Sequence, residues 1–494
     1  MTVDSSLPLS KDLDYHLSAE ALRRKESPLK GAFKYYGKPD LVFLGGGLPQ
    51  PTYFPWNKIT TESPAPPFEN GIGYKPQDAS EMTISEITKH TPSHLEGIDI
   101  PLSRSLQYGN TNGQPELIKF LKEHTTMVHP MQYQDWDLIV NTGNTQGWND
   151  LLRNFCDKGD TILTEEYTFA SSLEAANAQA ITTFPVKMDS FGIIPSQLDA
   201  VLTNWIGKKP KLLYTIPTGQ NPTGSSLSNE RRQEIYKIAC KHDILIVEDE
   251  PYYFLQMEEY TKDVNARSGK SIHNHEEFVK AMVKSFLSLD TEGRVLRLDS
   301  CSKTLAPGTR VGWITAKASF IERFTRIQEV SSQNCSGFSQ SIVGGTLNRW
   351  GQTGYLDWLI KLRAEYTHKR DVTVDSIYKH FPTELMEFVP PVAGMFFAFH
   401  IDATKHPKFE SEFKGDVLAV EKAIYERAAE YGSYMIPGSW FKTVGQTEPP
   451  QQVAPEKQTH LFFRGTYAAT PLDEIIVGIE RFGKAIKDEF GIKN

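Results

Sequence analysis

The chain has 494 residues, 39% of them apolar and 23% charged, with 30 prolines along its length and a net charge of −8. That length is too great for one compact core, so two domains or one large elaborated domain are expected. The negative charge argues against nucleic acid as a main partner. The four cysteines (Cys156, Cys240, Cys301, Cys335) form no CxxC pair and read as free thiols of a reducing compartment, not a disulfide framework or a zinc site.

The opening MTVDSSLPLSKDLDYHLS has no basic-then-apolar leader, and no apolar run approaches the roughly 18–20 residues that span a membrane. The closing Gly-Ile-Lys-Asn is no peroxisomal address, so a cytoplasmic protein without membrane contact is expected. Residues 1–104 are proline-rich and short of periodic pattern, above all 48–78; such a segment is expected to wrap over other elements or a partner subunit. Within it, His90 and His94 have the i, i+4 spacing of a zinc helix. The glutamate of that motif is missing and Pro92 interrupts the helix, so they read as surface histidines in a loop and no metal is expected.

From about residue 105 the pattern changes. Candidate strands at 137–141, 161–164, 211–216, 244–248, 294–299 and 311–315 alternate with helical stretches. Trp148, Leu151, Leu152 and Phe155 recur at i, i+3, i+4, i+7, and Ile235, Ile238 and Ala239 follow the same rule. This alternation predicts an α/β domain over 105–355, with a mainly parallel sheet flanked by helices on both faces. Residues 356–494 open with a long charged helix, continue with strands near 394–400 and 461–464, and end in an amphipathic helix over 472–490. They predict a smaller α+β domain. The polar stretches 256–293 and 443–458 read as surface insertions.

The residues with chemical potential cluster where strands end, which is where open α/β sheets place their ligands. After 137–141 comes Thr142-Gly143-Asn144-Thr145-Gln146-Gly147. A glycine turn that opens a helix offers free N–H groups to an anion, although an ordinary strand-to-helix turn has the same composition. After 211–216 comes Pro217-Thr218-Gly219-Gln220-Asn221-Pro222-Thr223-Gly224, either a tight turn or a rigid mount that presents the Asn221 amide to a ring oxygen. After 244–247 come Glu248, Asp249 and Glu250, costly to bury unless something positive meets them; a protonated pyridine nitrogen facing Asp249 would do so, and helix capping is the plainer alternative.

After 294–299 comes Ser300-Cys301-Ser302-Lys303, with Arg310 seven places on. Such a lysine can lose its proton and form a Schiff base with an aldehyde cofactor, while the hydroxyls and the arginine hold a phosphate. The same four residues satisfy S-x-x-K, the serine–lysine pair of penicillin-recognising acyl transferases. Its companion motifs are absent, Lys442-Thr443-Val444 being the nearest approach, and there is no G-x-S-x-G elbow.

Together with LGGGLPQPTYFPW (44–56), LQYGNTNGQPEL (106–117), TIPTGQNPTG (215–224), VEDEPYYFLQ (247–256), SCSKTLAPGTRVGW (300–313), AGMFF (393–397), IPGSWF (436–441) and FFRGTYA (462–468), these residues carry a resemblance over nearly the whole chain. The chain resembles the fold-type I aminotransferases that use pyridoxal 5′-phosphate. More narrowly it resembles the fungal aromatic/2-aminoadipate aminotransferases and the related kynurenine/2-aminoadipate enzymes.

The resemblance implies that Lys303 bonds the cofactor and shuttles the proton, that Asp249 meets the pyridine nitrogen, and that Tyr252 and Asn221 meet the ring oxygen. Phe169 would stack on the ring. Asn144, Thr145, Ser300, Ser302 and Arg310 would hold the phosphate, with Tyr108 reaching it from the other subunit of a homodimer. Arg464 would bind the substrate α-carboxylate bidentately, helped by Asn221 and the backbone near Gly47. Two departures stand out. Asn144-Thr145 replaces the Ser-Gln of several relatives, and Lys30 falls where the kynurenine/2-aminoadipate enzymes have a substrate-touching arginine; the surface is the expected place for Lys30.

The implied activity is ping-pong transamination of phenylalanine, tyrosine and tryptophan with 2-oxoglutarate as acceptor; kynurenine and 2-aminoadipate are further candidate donors. A β-lyase on the same fold is the runner-up. A DNA-binding regulator is disfavoured, because the N-terminal region is too proline-rich for a winged helix.

Overall fold

Seven short strands carry the larger of two main sheets: β1 (Trp136–Asn141), β2 (Thr161–Glu165), β3 (Thr182–Val186), β4 (Leu212–Thr215), β5 (Leu245–Asp249), β6 (Val295–Ser300) and β7 (Gly312–Lys317). They come from a computed structural model that describes residues 6–32, 35, 38–267, 274–444 and 459–492. The strand order is β1-β7-β6-β5-β4-β2-β3. Only β7 runs against its neighbours, β1 and β6; the other pairs are parallel. Every residue of β4, β5, β6 and β7 is buried, without alternation, because helices cover both faces.

Residue parity assigns those faces. Leu212, Tyr214, Leu245, Val247, Leu296 and Leu298 pack with Trp148, Leu151 and Phe155 of helix α1 (Asn144–Phe155). Leu213, Ile246 and Val295 pack on the other side with Ile235 and Ala239 of α2 (Asn229–His242). The six strands expected from sequence are all present, with ends moved by one or two residues. β3 was not expected: its run TTFPV is short and contains Pro185, which an edge strand tolerates, and β3 pairs only with β2.

The second sheet has strands β8 (Met386–Phe388), β9 (Phe396–Asp402), β10 (Ile436–Pro437) and β11 (His460–Thr466) in the antiparallel order β8-β9-β11-β10. Phe399 and Phe463 on adjacent strands pack with Ile377 and Phe381 from helix α3 (Gly337–His380) or its end, Ile424 of α4 (Val417–Glu430) and Phe482 of α5 (Leu472–Glu489). The helix expected from residue 356 thus begins at Gly337, and the expected 355/356 boundary falls inside it. The helix bends at Gly351, whose φ of 66° and ψ of 179° lie outside the helical region.

Two expectations need correction. The N-terminal region does wrap the large sheet: Leu13, Leu17 and Ala21 bury beside α1, and Ser18 N donates to Asn154 O at 2.8 Å. It also holds an antiparallel hairpin, Lys58–Pro64 with Met82–Thr88, that docks on α3 through a 3.2 Å bond from Trp350 Nε1 to Pro64 O. Its strands, KITTESP and MTISEIT, are polar on both faces, so no apolar period marks them. The stretch 256–293 is not a simple surface insertion, because Phe278, Met282, Phe286 and Leu287 are core residues. Within it 268–273 lie outside the described residues, as do 445–458 of the second expected insertion. Among the described residues no helix is long and apolar enough to cross a membrane.

Candidate active site

The carboxyl ends of β1, β4, β5 and β6 open into a cavity of about 300 Å³. Ten of the expected site residues line it together: Lys303, Asp249, Tyr252, Asn221, Phe169, Asn144, Thr145, Ser300, Ser302 and Arg310.

The acidic run at the end of β5 divides by parity. Glu248 and Glu250 point to the α2 face, where Arg232 of α2 and Arg297 of β6 meet them. Arg232 Nη1 lies 3.4 Å from Glu248 Oε1 and 3.3 Å from Glu250 Oε1, and Arg297 Nη1 lies 3.2 Å from Glu248 Oε2. Arg297 also grips Asp299 with two bonds of 2.8 Å. Burial pushes Glu250 up to about 8, against the pull of both arginines.

Asp249 points to the opposite face, into the cavity. Its Oδ2 accepts from Tyr214 Oη at 2.7 Å and its Oδ1 from Asn144 Nδ2 at 2.7 Å. Among the described residues no lysine or arginine pairs with it, and burial raises it to about 6. A buried carboxylate held by two neutral donors is costly unless a cation completes it.

Arg464 on β11 is the converse. Its guanidinium lies 4.6 Å from the Phe396 ring and 4.7 Å from Phe441, and its Nη1 donates to Asn221 Oδ1 at 2.8 Å. Among the described residues no carboxylate pairs with it, and burial lowers its pKa. Asn221 precedes a cis proline, and the Gln220 amide, which donates to Glu165 and to Tyr167 O, anchors its loop. Tyr252 also bonds Asn221, and its phenol is held protonated by burial and by the charge of Asp249.

The Lys303 ammonium is destabilised first by burial and then by Arg310, so its pKa is lowered. Arg310 adopts the left-handed region (φ 50°) and folds its guanidinium over the Thr142-Gly143 turn, with Nη2 on Thr142 O and Nη1 3.5 Å from Ser302 Oγ. Gly143 is required there: its φ is 103°, and a Cβ would sit 2.6 Å from Arg310 Nη2. Ser300 Oγ donates to Ser302 Oγ at 2.8 Å and accepts from Ser302 N at 3.0 Å, so it is engaged with Ser302 rather than set up as an S-x-x-K nucleophile. Hydroxyls, a guanidinium and the open first turn of α1 make an anion cup. The lone lysine, the cup and the uncompensated Asp249 fit a phosphorylated pyridine aldehyde.

Two expectations are corrected, for Asn144 and Lys30. The Asn144 side chain is turned from the cup to Asp249 and to Leu298 O (3.0 Å), which leaves only its backbone at the phosphate end. Gly47 is exposed and does not line this cavity, and Tyr108 (55% exposed), expected to serve the other subunit, lies in a groove with Leu48 and Arg326. Lys30, expected at the surface, is half-buried in that same groove. His90 and His94 are exposed, as expected. Sequence reasoning missed Tyr214, Trp148 and Phe396 in the cavity. A tyrosine inside the apolar run KLLYTI was a usable signal for Tyr214, since its hydroxyl needs a buried partner.

The profile of the family described as aminotransferase class I and II matches residues 75–481. The chain belongs to this family. The aminotransferase is 41% identical to an aromatic amino acid aminotransferase of Schizosaccharomyces pombe over 97% of this chain and 98% of that protein. It is 31% identical to an L-tyrosine:2-oxoglutarate aminotransferase of Tapinella panuoides over the whole of both. The crystal structure of aminotransferase Aro8 from Candida albicans superposes with a TM-score of 0.94 at 57% identity, covering 98% of this chain and 100% of that one.

Proposed function

We propose that this aminotransferase holds pyridoxal 5′-phosphate in the cavity and moves the amino group of aromatic amino acids to 2-oxoglutarate in two alternating half-reactions. One observation carries the reading: among the described residues, Asp249 is a buried anion without a cation in the cavity that contains Lys303, and Arg464 is a half-buried cation without an anion, bonded to Asn221 of that cavity. The first matches a protonated ring nitrogen and the second a substrate carboxylate.

When bound, the cofactor supplies an electron sink for the carbon that loses its proton. Thr145, Ser300, Ser302, Arg310 and the first-turn N–H groups of α1 would hold the phosphate. Tyr252 and Asn221 would meet the ring oxygen, and Phe169 would cover one ring face. Arg464 binds the α-carboxylate of amino acid and 2-oxo acid alike, with its plane fixed by Phe396, Phe441 and Asn221. The lowered pKa of Lys303 favours its free amine, so Nζ would take the proton from substrate Cα and deliver it to the carbon that was the cofactor's aldehyde.

The names of the relatives support aromatic donors and a 2-oxoglutarate acceptor, with kynurenine and 2-aminoadipate as further donors. We also infer a cytoplasmic homodimer. Residues 1–104 form an arm with part of the small domain, 105–355 the large domain and 356–494 the rest of the small one. The exposed Tyr108, outside the lining of its own cavity, is assigned to the partner's phosphate site, and the backbone near Gly47 to the substrate carboxylate beside Arg464 and Asn221.

Lys303→Ala tests the reading. The variant should lose the visible absorbance of lysine-bound cofactor and the formation of glutamate from 2-oxoglutarate with phenylalanine. Turnover near that of the wild type would overturn it.

A further inference from the structure

Asn144 is the first residue of α1, where an asparagine reads as an anion binder, yet its amide is committed elsewhere. Nδ2 donates to Asp249 Oδ1 at 2.7 Å and to Leu298 O at 3.0 Å. Leu298 faces Asp249 in the β5–β6 register, and Leu298 O also accepts from Glu250 N at 2.9 Å. The Asn144 amide therefore ties the carboxylate to the adjacent strand. The orientation is forced, because both neighbours of Nδ2 are acceptors and the opposite flip would set Oδ1 against two oxygens. Asn144 Oδ1 is buried without a hydrogen-bond partner among the described residues. Such an arrangement costs free energy, and it persists where the surrounding structure gains from the other half of the amide.

Tyr214 supplies the second fixed point. With Tyr214 Oη on Oδ2 and Asn144 Nδ2 on Oδ1, the plane of the Asp249 carboxylate is set from both sides by donors that bring no charge. Neutral donors orient an anion without cancelling it, so its attraction for a cation stays available. A lysine or arginine at either position would neutralise Asp249 and compete with the ring nitrogen.

We propose that Asn144 is a positioning residue for Asp249, acting on the ring-nitrogen end of the cofactor through its side chain and not on the phosphate end. The inference rests on the cofactor reading above, and it assigns the side chain to the opposite end of the ligand from the one its place on the helix suggests.

Two ligands separate the roles: pyridoxal 5′-phosphate and pyridoxal, which lacks the phosphate. Cofactor-free wild type, Asn144→Ala and Asn144→Ser are titrated with each, following protein fluorescence. A positioning residue acts on the ring they share, so Asn144→Ala should weaken both by the same factor, about tenfold or more. The ratio of the two dissociation constants then stays at the wild-type value. Asn144→Ser keeps a hydroxyl at the helix N-terminus but is one atom too short to bridge Asp249 and Leu298 O, so it should behave like Asn144→Ala. A loss of competent protein lowers the amplitude of the fluorescence change and leaves both dissociation constants as they are, so it does not mimic the tenfold weakening. Weakening confined to the phosphorylated ligand, or wild-type binding by Asn144→Ser, would overturn the assignment to Asp249. If the wild type binds neither ligand, the cofactor reading fails, and this inference with it.

Discussion

At the scale of single residues the site is defined by charges that lack partners. Arg464 is the clearest case, because two rings and an amide hold its guanidinium while no carboxylate among the described residues meets it. A lysine would keep the charge but lose the planar stacking and the second donor. Arg464→Lys should therefore raise KM for both phenylalanine and 2-oxoglutarate and lower kcat/KM by about 10²-fold, or ~2–3 kcal/mol, the scale of one charge-assisted hydrogen bond. Steady-state kinetics in each half-reaction check this; an unchanged KM for both substrates would remove Arg464 from carboxylate binding. Much of this scale was legible. Lys303 and Asp249 are marked by residue type and by position at strand ends and line one cavity; Arg464, inside its strand, was reached through the family resemblance and bonds Asn221 of that cavity. Asn144 was misread because its partner lies on another strand: helix position suggests an anion, but only the placement of β5 and β6 beside α1 shows that the anion is Asp249.

Among the elements, β5 does most to organise the site, since one strand exit sends Glu248 and Glu250 to one face and Asp249 to the other. The cost of the first two acids is offset by Arg232 and Arg297, both fully buried. Arg297 is the more exposed to test, because it holds Asp299 as well as Glu248 and stacks on Tyr253 at 4.5 Å. Arg297→Met would leave two carboxylates buried without that guanidinium. The loss should be about 3–5 kcal/mol, read as a lower urea midpoint at unchanged slope. A midpoint equal to that of the wild type would mean that the layer carries no net stability. The strands themselves were legible because they are continuous apolar runs. The pairing of Arg297 with Glu248 was not, because it depends on which strand lies beside β5, and crossover connections decide that. β3 and the Lys58–Thr88 hairpin were missed for a different reason: one carries a proline at a sheet edge, and the other has no apolar face.

For the whole molecule the question is how the two sheets are held so that Arg464 on one reaches Asn221 on the other. Among their contacts, two bear on that distance. Thr443 N donates to Glu166 O at 2.9 Å, and Thr168 N donates to Phe441 O at 3.0 Å, which ties the Arg464-stacking segment to the Phe169 segment. At the second place Gly219 and Gly394 touch backbone to backbone, with φ of 58° and 80°. A Cβ on Gly394 would lie 2.8 Å from both Cα and O of Gly219, atoms that cannot rotate away. Gly394→Ala must therefore strain its own backbone and push the 217–224 loop from β9, which lengthens the 2.8 Å contact between Arg464 and Asn221. Lys303, Ser300 and Ser302 sit at the end of β6, away from this junction, so the cofactor end should be spared. The expected result is a loss of about 1–3 kcal/mol in stability from the left-handed strain. KM for 2-oxoglutarate should rise while the visible absorbance of bound cofactor is retained. If KM stays at the wild-type value, the glycine junction does not set the distance between the two sheets, and the alignment of Arg464 comes from other contacts, the Thr443 bond among them.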